Sequence, residues 1–151
     1  LYDASKAGVQ IDLICRGFCC LRPGVPGLSE NIRVVSVVGR FLEHSRIFHF
    51  GAGLEDPLDG EWYISSADWM YRNLSNRVES AAPVHDRDAR ARLKRIIDAN
   101  LRDGKQAWDL HADGSWTKRT PPPDAEPETP QRDGTFDVLM REAQLSWPHR
   151  E

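Results

Sequence analysis

The sequence predicts an α/β fold, a mixed β-sheet flanked by helices. Three observations carry that prediction. Short apolar runs bounded by Gly and Pro punctuate the first half, as buried strands do. Residues 86–102 set Ala89, Leu93, Ile96, Ile97 and Leu101 on one stripe of a helix whose other face is charged. Finally, 40% of the 151 residues are hydrophobic, enough for one core in a chain too short for two full domains.

Each element follows in order. Ile11-Asp12-Leu13-Ile14-Cys15, entered through Gly8 and left at Arg16-Gly17, reads as a buried strand ending in a turn. Pro23, Gly24, Pro26 and Gly27 then mark a loop. Ser29 resembles a helix N-cap, and Val34, Val37, Val38, Phe41 and Leu42 recur at helical spacing, although the β-branched run from Ile32 to Val35 could be extended. Strands are expected at 46–50 and 61–65, joined by a Gly, Asp and Pro-rich loop with an exposed tip. A short turn or helix at 68–73 and a strand at 77–82 precede the helix at 86–102, which Asp86 can cap. Residues 108–111 and 115–118 flank Ala112-Asp113-Gly114 as a small hairpin. Five prolines and three acidic residues in 121–130 read as a flexible linker, and 136–145 as a docking helix.

Composition narrows the function. A net charge of −3 gives no case for bulk nucleic-acid binding. Cys15, Cys19 and Cys20 form an odd cluster without zinc spacing, so a reducing compartment and small apolar core thiols are expected. No apolar run is long enough to span a bilayer. The opening Leu1-Tyr2-Asp3-Ala4-Ser5-Lys6 has neither a start Met nor a signal-peptide pattern, so a fragment of a longer chain is expected.

The chemistry gathers at His44-Ser45-Arg46 before one strand and Ser65-Ser66-Ala67-Asp68 after its partner. Side chains two apart on a strand share a face, so His44 and Arg46 can approach one ligand together. An imidazole can donate, accept or attack near neutral pH, and a guanidinium offers a fork of donors suited to phosphate. Ser65 and Ser66 could add hydroxyl or backbone donors.

These residues carry a resemblance. His44-x-Arg46 with Ser66-x-Asp68 is similar to the phospholipase D superfamily pattern, His-x-Lys followed by Gly-Ser-x-Asn. Four ordered blocks resemble the second C-terminal domain of the phosphohistidine-type polyphosphate kinases more closely: 11–21, 27–32, 39–46 and 65–70. The resemblance runs from Tyr2 to Asp86, and more loosely to Trp116. It implies a phospholipase-D-like fold and, in residues 1–120, an incomplete domain lacking its N-terminal part; composition, beyond the reach of the resemblance, adds an acidic Pro-rich linker at 121–132 and a helical tail at 133–151. It also implies reversible transfer of the terminal phosphate of ATP to polyphosphate, with Mg2+ present, through a phosphohistidine from another domain of the parent chain. By motif matching Arg16 and His44 contact the ATP phosphates, with Arg46, Ser66 and Arg72 as further phosphate-binding candidates and Asp68 orienting His44 or an arginine. ATP, ADP, polyphosphate, the parent's other domains and further copies of the chain are the expected partners. The fragment alone is expected to be inactive. A cytoplasmic location is expected, with any membrane association through a complex.

The residues agree with those roles. Phosphoryl transfer asks chiefly for positioning and charge neutralisation, and Arg16 lies at a strand's C-terminal end, where α/β sheets present ligands. Polyphosphate is charged along its whole length, which suits a tunnel lined by Arg16, Arg22, Arg33, Arg40, Arg46, Arg72 and Arg77.

Plainer readings stand beside these. Arg46 could pair with Glu43 or Asp68, and Arg72 could cap a turn. His49 is out of phase with His44 and reads as structural or exposed; His85, His111 and His149 stand isolated. Arg87, Arg90, Arg92, Lys94 and Arg95 read as a solvated helix face, and Trp62 and Trp69 as core or sheet-packing residues. The other function classes are a superfamily phosphodiesterase with His44 as nucleophile, and a non-catalytic polyanion-binding module. Arg46 in place of Lys, Asp68 in place of Asn and a single motif copy argue against the first.

Overall fold

The computed structural model of the protein describes residues 1–146. The elements in order are α1 (Tyr2–Lys6), β1 (Ile11–Cys15), β2 (Ile32–Val37), β3 (Ile47–Phe50), β4 (Glu61–Ser65), α2 (Tyr71–Asn76) and β5 (Ala81–Pro83). The long helix α3 (Arg87–Arg102), β6 (Ala107–Leu110), β7 (Trp116–Lys118), α4 (Pro130–Asp133) and α5 (Thr135–Ser146) complete them. The α/β class holds, and the strands divide between two sheets. The chain likewise divides into two compact units, one of Leu1–Leu42 with the residues from Ile97 onward, the other Glu43–Ile96.

The first unit is built on β2. Its neighbours are β1, in parallel with Ile11 opposite Ile32 and Cys15 opposite Ser36, and β6, antiparallel with Val35 opposite Asp109. β7 extends the sheet beyond β6, with Asp109 opposite Thr117. Only Arg33 of β2 is exposed. Val35 and Val37 pack with Ala107, Phe136 and Leu101 on one face; Ile32 and Val34 pack with Leu110, Ile11, Leu13 and Trp116 on the other. A strand buried on both faces shows no alternation, which is why its apolar positions resemble a helical stripe. The helix expected from Ser29 through Leu42 does not form: Ile32–Val37 is a strand, so the extended alternative from Ile32 is the correct one, and 38–42 belong to no helix or strand. Ser29 is buried, and its hydroxyl donates to the Arg22 carbonyl (2.6 Å) and accepts from the Val25 N–H (3.0 Å), closing the preceding loop instead of capping a helix.

A buried carboxylate ties the C-terminal half together. Asp103 Oδ1 accepts from the N–H groups of Lys105, Gln106 and Ala107 (2.8, 2.6 and 3.1 Å), and Oδ2 accepts from Thr135 N–H at 2.6 Å. It thus joins the end of α3, the start of β6 and the start of α5. Residues 121–129 form no helix or strand, yet Ala125 is buried and its carbonyl accepts from Arg132 (3.1 Å). The predicted helix at 136–145 is α5, seated by Phe136. Residues 147–151 of the expected tail, His149 among them, lie outside the described residues.

Cysteine usage is mixed. Cys15 and Cys19 pack against the core as expected, and burial, with Cys19 beside it, pushes the Cys15 thiol up to about 12. Cys20 is exposed, contrary to expectation.

The second unit is an antiparallel sheet in the order β3-β4-β5, with His49 opposite Trp62 and Ile64 opposite Ala82. Trp62 is its buried anchor: the indole Nε1 donates to the Pro57 carbonyl (2.9 Å), and the His49 ring stacks on it at 4.2 Å. His49 is therefore structural. The predicted hairpin loop is tied down, since Arg87 pairs with both Asp56 and Asp59 and Arg90 donates to the Leu58 carbonyl (2.8 Å). The basic helix face is thus engaged at Arg87 and Arg90, where a solvated face was expected. Asp86 caps α3 by accepting from Ala89 N–H at 2.8 Å. Trp69 is 56% exposed and stacks on Phe48 of β3, so of its two expected roles, core or sheet packing, it takes the second.

Arg119 closes the first unit's hairpin with a fork on Asp109 (2.7 and 2.6 Å) and a third nitrogen on the Leu101 and Asp103 carbonyls. The Arg119 hydrogen bonds hold the Asp109 carboxyl below the usual carboxylate range. A carboxyl that titrates lower in the folded than in the unfolded chain stabilises fully above the unfolded value and progressively less as pH falls through the folded one. The stability difference between the unsubstituted chain and Asp109→Asn should therefore be constant above about pH 5 and shrink below about pH 4. Thermal unfolding of both proteins across that range checks this; a difference that grows on acidification contradicts it.

Candidate functional site

Arg16 follows β1 directly, in a turn set by Gly17. Gly17 has φ +102, a conformation that side chains with a Cβ rarely adopt. The turn is locked from β2: the buried Ser36 hydroxyl accepts from Gly17 N–H (3.1 Å) and donates to the Gly17 carbonyl (2.7 Å). Arg16 itself is exposed. Ser36 is a residue that the sequence reading missed, and its signal was a lone hydroxyl in the apolar run Val34–Val37, opposite Cys15.

The second unit brings together His44, Arg46 and Asp68. Arg46 Nε and Nη2 reach Asp68 Oδ1 at 2.9 and 2.8 Å. Arg46 Nη1 donates to the His44 carbonyl and lies 2.7 Å from His44 Nδ1. Arg46 thus pairs with Asp68, one of its two expected carboxylates, while Glu43 accepts from Ser45 N–H at 2.7 Å. β3 and β4 hold the array, because Ser65 N–H donates to the Arg46 carbonyl (2.9 Å) just before Ser66-Ala67-Asp68. His44 is exposed, whereas the Arg46 side chain is only 14% accessible.

Ser66 lies on the same segment with a different partner. Its hydroxyl donates to Glu79 and accepts from Ser80 N–H (3.0 Å), and Asn73 Nδ2 donates to the other Glu79 oxygen at 2.7 Å. The Ser66 hydroxyl, with Asn73, holds the Glu79 carboxyl below its usual range. Glu79 was not singled out from the sequence, where nothing in its neighbourhood marks it. Arg72 is exposed on α2 and makes no ion pair among the described residues. Of the arginines expected to line a tunnel, Arg22 donates to the Ala112 carbonyl, Arg33 pairs with Asp12 and Arg40 lies over the Phe41 ring. Among the described residues no three His, Cys, Asp or Glu side chains gather as a metal site, and no helix is long and apolar enough to cross a membrane.

The domain family described as Polyphosphate kinase C-terminal domain 2 matches residues 1–131. The chain belongs to that family. It is 54% identical over 140 residues to a polyphosphate kinase of Thermosynechococcus vestitus, covering 93% of this chain and 18% of that relative. It is also 56% identical over 131 residues to the polyphosphate kinase of a Synechocystis species, covering 87% and 17%. The crystal structure of polyphosphate kinase from Porphyromonas gingivalis is similar with a TM-score of 0.79 and 40% identity, over 97% of this chain and 22% of that one. The chain thus spans about one fifth of the length of the polyphosphate kinases it matches.

The Gly17 turn gives a direct test of how Arg16 is held. Ser36→Ala leaves both Gly17 backbone groups without their partner, and should cost about 1–3 kcal/mol of stability. Ser45→Ala, at an exposed position, should stay within about 0.5 kcal/mol. Denaturant unfolding measures both; equal effects would mean that Ser36 does not brace the turn.

Proposed function

We propose that this chain is the part of an ATP–polyphosphate phosphotransferase that grips the nucleotide's terminal phosphate, in a reaction that runs in both directions. The observation that carries the reading is the His44–Arg46–Asp68 array at the ends of β3 and β4, in a chain that matches the polyphosphate kinase domain over residues 1–131. Phosphoryl transfer is governed by positioning and by neutralising charge on the phosphoryl oxygens. An exposed imidazole held by a largely buried guanidinium suits that work, and Arg16, exposed beside its locked turn in the first unit, carries a forked donor of the kind phosphate takes. In this reading His44 and Arg16 bind and polarise the transferred phosphate, Asp68 orients Arg46, and Ser66, just after β4, and Arg72, on α2, are further phosphate donors. A histidine of another part of the polypeptide that carries this chain takes the terminal phosphoryl group as ADP leaves, and the phosphohistidine so formed passes it to the polyphosphate end, so the chain alone is inactive.

The remaining expectations enter as parts of the same reading. Mg2+ is the accompanying cation, bound to the ATP phosphates. ADP, polyphosphate, the polypeptide's other domains and further copies of the chain are the partners. The location in this reading is the cytoplasm, with any membrane association through a complex.

His44→Ala and Arg16→Ala in the full-length protein should each lower ATP-dependent polyphosphate synthesis by about 100-fold, the scale of losing a donor to transition-state charge, with folding intact. Product formation from ATP checks this. Turnover at the unsubstituted rate would remove both residues from the site; loss only when many arginines are replaced would favour a polyanion-binding module instead.

A further inference from the structure

Arg46 was a candidate phosphate ligand by sequence, and its geometry gives it other work. Its Nε and Nη2 are directed to Asp68 Oδ1, its Nη1 to the His44 carbonyl and to His44 Nδ1, and the side chain is 14% accessible. A guanidinium has five N–H donors, no acceptor, and does not lose its proton in proteins. The 2.7 Å contact with Nδ1 is therefore a hydrogen bond only when Nδ1 accepts. A hydrogen on Nδ1 would set two donors face to face. The neutral imidazole that fits this contact carries its hydrogen on Nε2.

We propose that Arg46, anchored by Asp68 and bonded to Nδ1, is a positioning residue that holds His44 with hydrogen on Nε2, so that His44 meets a phosphoryl oxygen as a hydrogen-bond donor. This rests on the proposed phosphate site and deepens it. The tautomer decides what the ring can do. With hydrogen on Nε2 and Nδ1 occupied, His44 has no free lone pair with which to attack phosphorus, and it offers a donor to the developing charge on a phosphoryl oxygen. The second contact, to the His44 backbone carbonyl, fixes ring and main chain to one guanidinium. A lysine here could not make the same pattern, because a single ammonium has no planar fork to span a carboxylate on one side and an imidazole on the other. Asp68 supplies the counter-charge that keeps the fork turned to His44.

Two measurements on the full-length protein test this. The first is a long-range proton–nitrogen NMR correlation with 15N-labelled histidine, the His44 signal being assigned by its loss in His44→Gln. Hydrogen on Nε2 and a bare Nδ1 in the unsubstituted protein are expected; hydrogen on Nδ1 overturns the proposal without touching the phosphate-site reading. This measurement needs no Arg46 variant to fold. The second is a double-mutant cycle in polyphosphate synthesis. Arg46→Ala should lower kcat by about tenfold or more with the KM for ATP little changed, on the scale of losing an orienting partner. In the His44→Ala background the same substitution should cost less than about twofold, because it acts through a ring that is no longer there. An equal loss in both backgrounds means that Arg46 touches the substrate itself, and overturns the proposal. Unchanged turnover in His44→Ala alone overturns the phosphate-site reading and this inference together.

Discussion

A guanidinium with nothing but donors, set between a carboxylate and an imidazole, is the constraint on which the second unit's chemistry depends. Asp68 holds one edge of Arg46 and His44 takes the other, so one charged group connects the strand ends of β3 and β4 to the only ring in the motif. The Arg46–Asp68 pair is largely withdrawn from water, and all three guanidinium nitrogens have a partner, so breaking it would leave a charge poorly compensated. It converts a flexible exposed histidine into one with a defined orientation.

The first unit solves a different problem with the same economy. Arg16 stands at a strand end, on a backbone that turns sharply, beside β2, a strand buried on both faces. Gly17 supplies the conformation and Ser36 the hydrogen bonds, so the turn is braced from the middle of the sheet. Deeper in that unit Asp103 and Arg119 satisfy backbone groups at the end of α3, before β6 and at the start of α5. Buried polar groups of this kind cost stability unless every bond is made, and here they fix the ends of elements that apolar packing alone would leave free to slide.

Much of this was legible in the sequence, for identifiable reasons. β1, β4, α3 and the β6–β7 hairpin announced themselves because each is bounded by Gly, Asp or Pro and shows its apolar face at the proper period. β2 did not, because a central strand buried on both sides erases the alternation that distinguishes strand from helix. The motif residues His44, Arg46 and Asp68 were visible from spacing, and the choice of Asp68 over Glu43 as the partner of Arg46 was not, since it depends on how β3 and β4 pair. Ser36 and Glu79 escaped for the same reason: their importance lies in what they touch across the sheet or loop, which no local window contains. Trp69 was legible only as a pair of alternatives, core or sheet packing, and the choice of the second depends on Phe48 of β3 lying beside it.

The central claim is that His44, steered by Arg46, donates to the outermost phosphate of a nucleotide. The most direct measurement is a structure of the full-length protein with a non-hydrolysable ATP analogue. The account predicts His44 Nε2 within hydrogen-bonding distance of a terminal phosphate oxygen while Arg46 remains on Asp68. A guanidinium released from Asp68 onto the phosphate, with the His44 ring turned away, would contradict it.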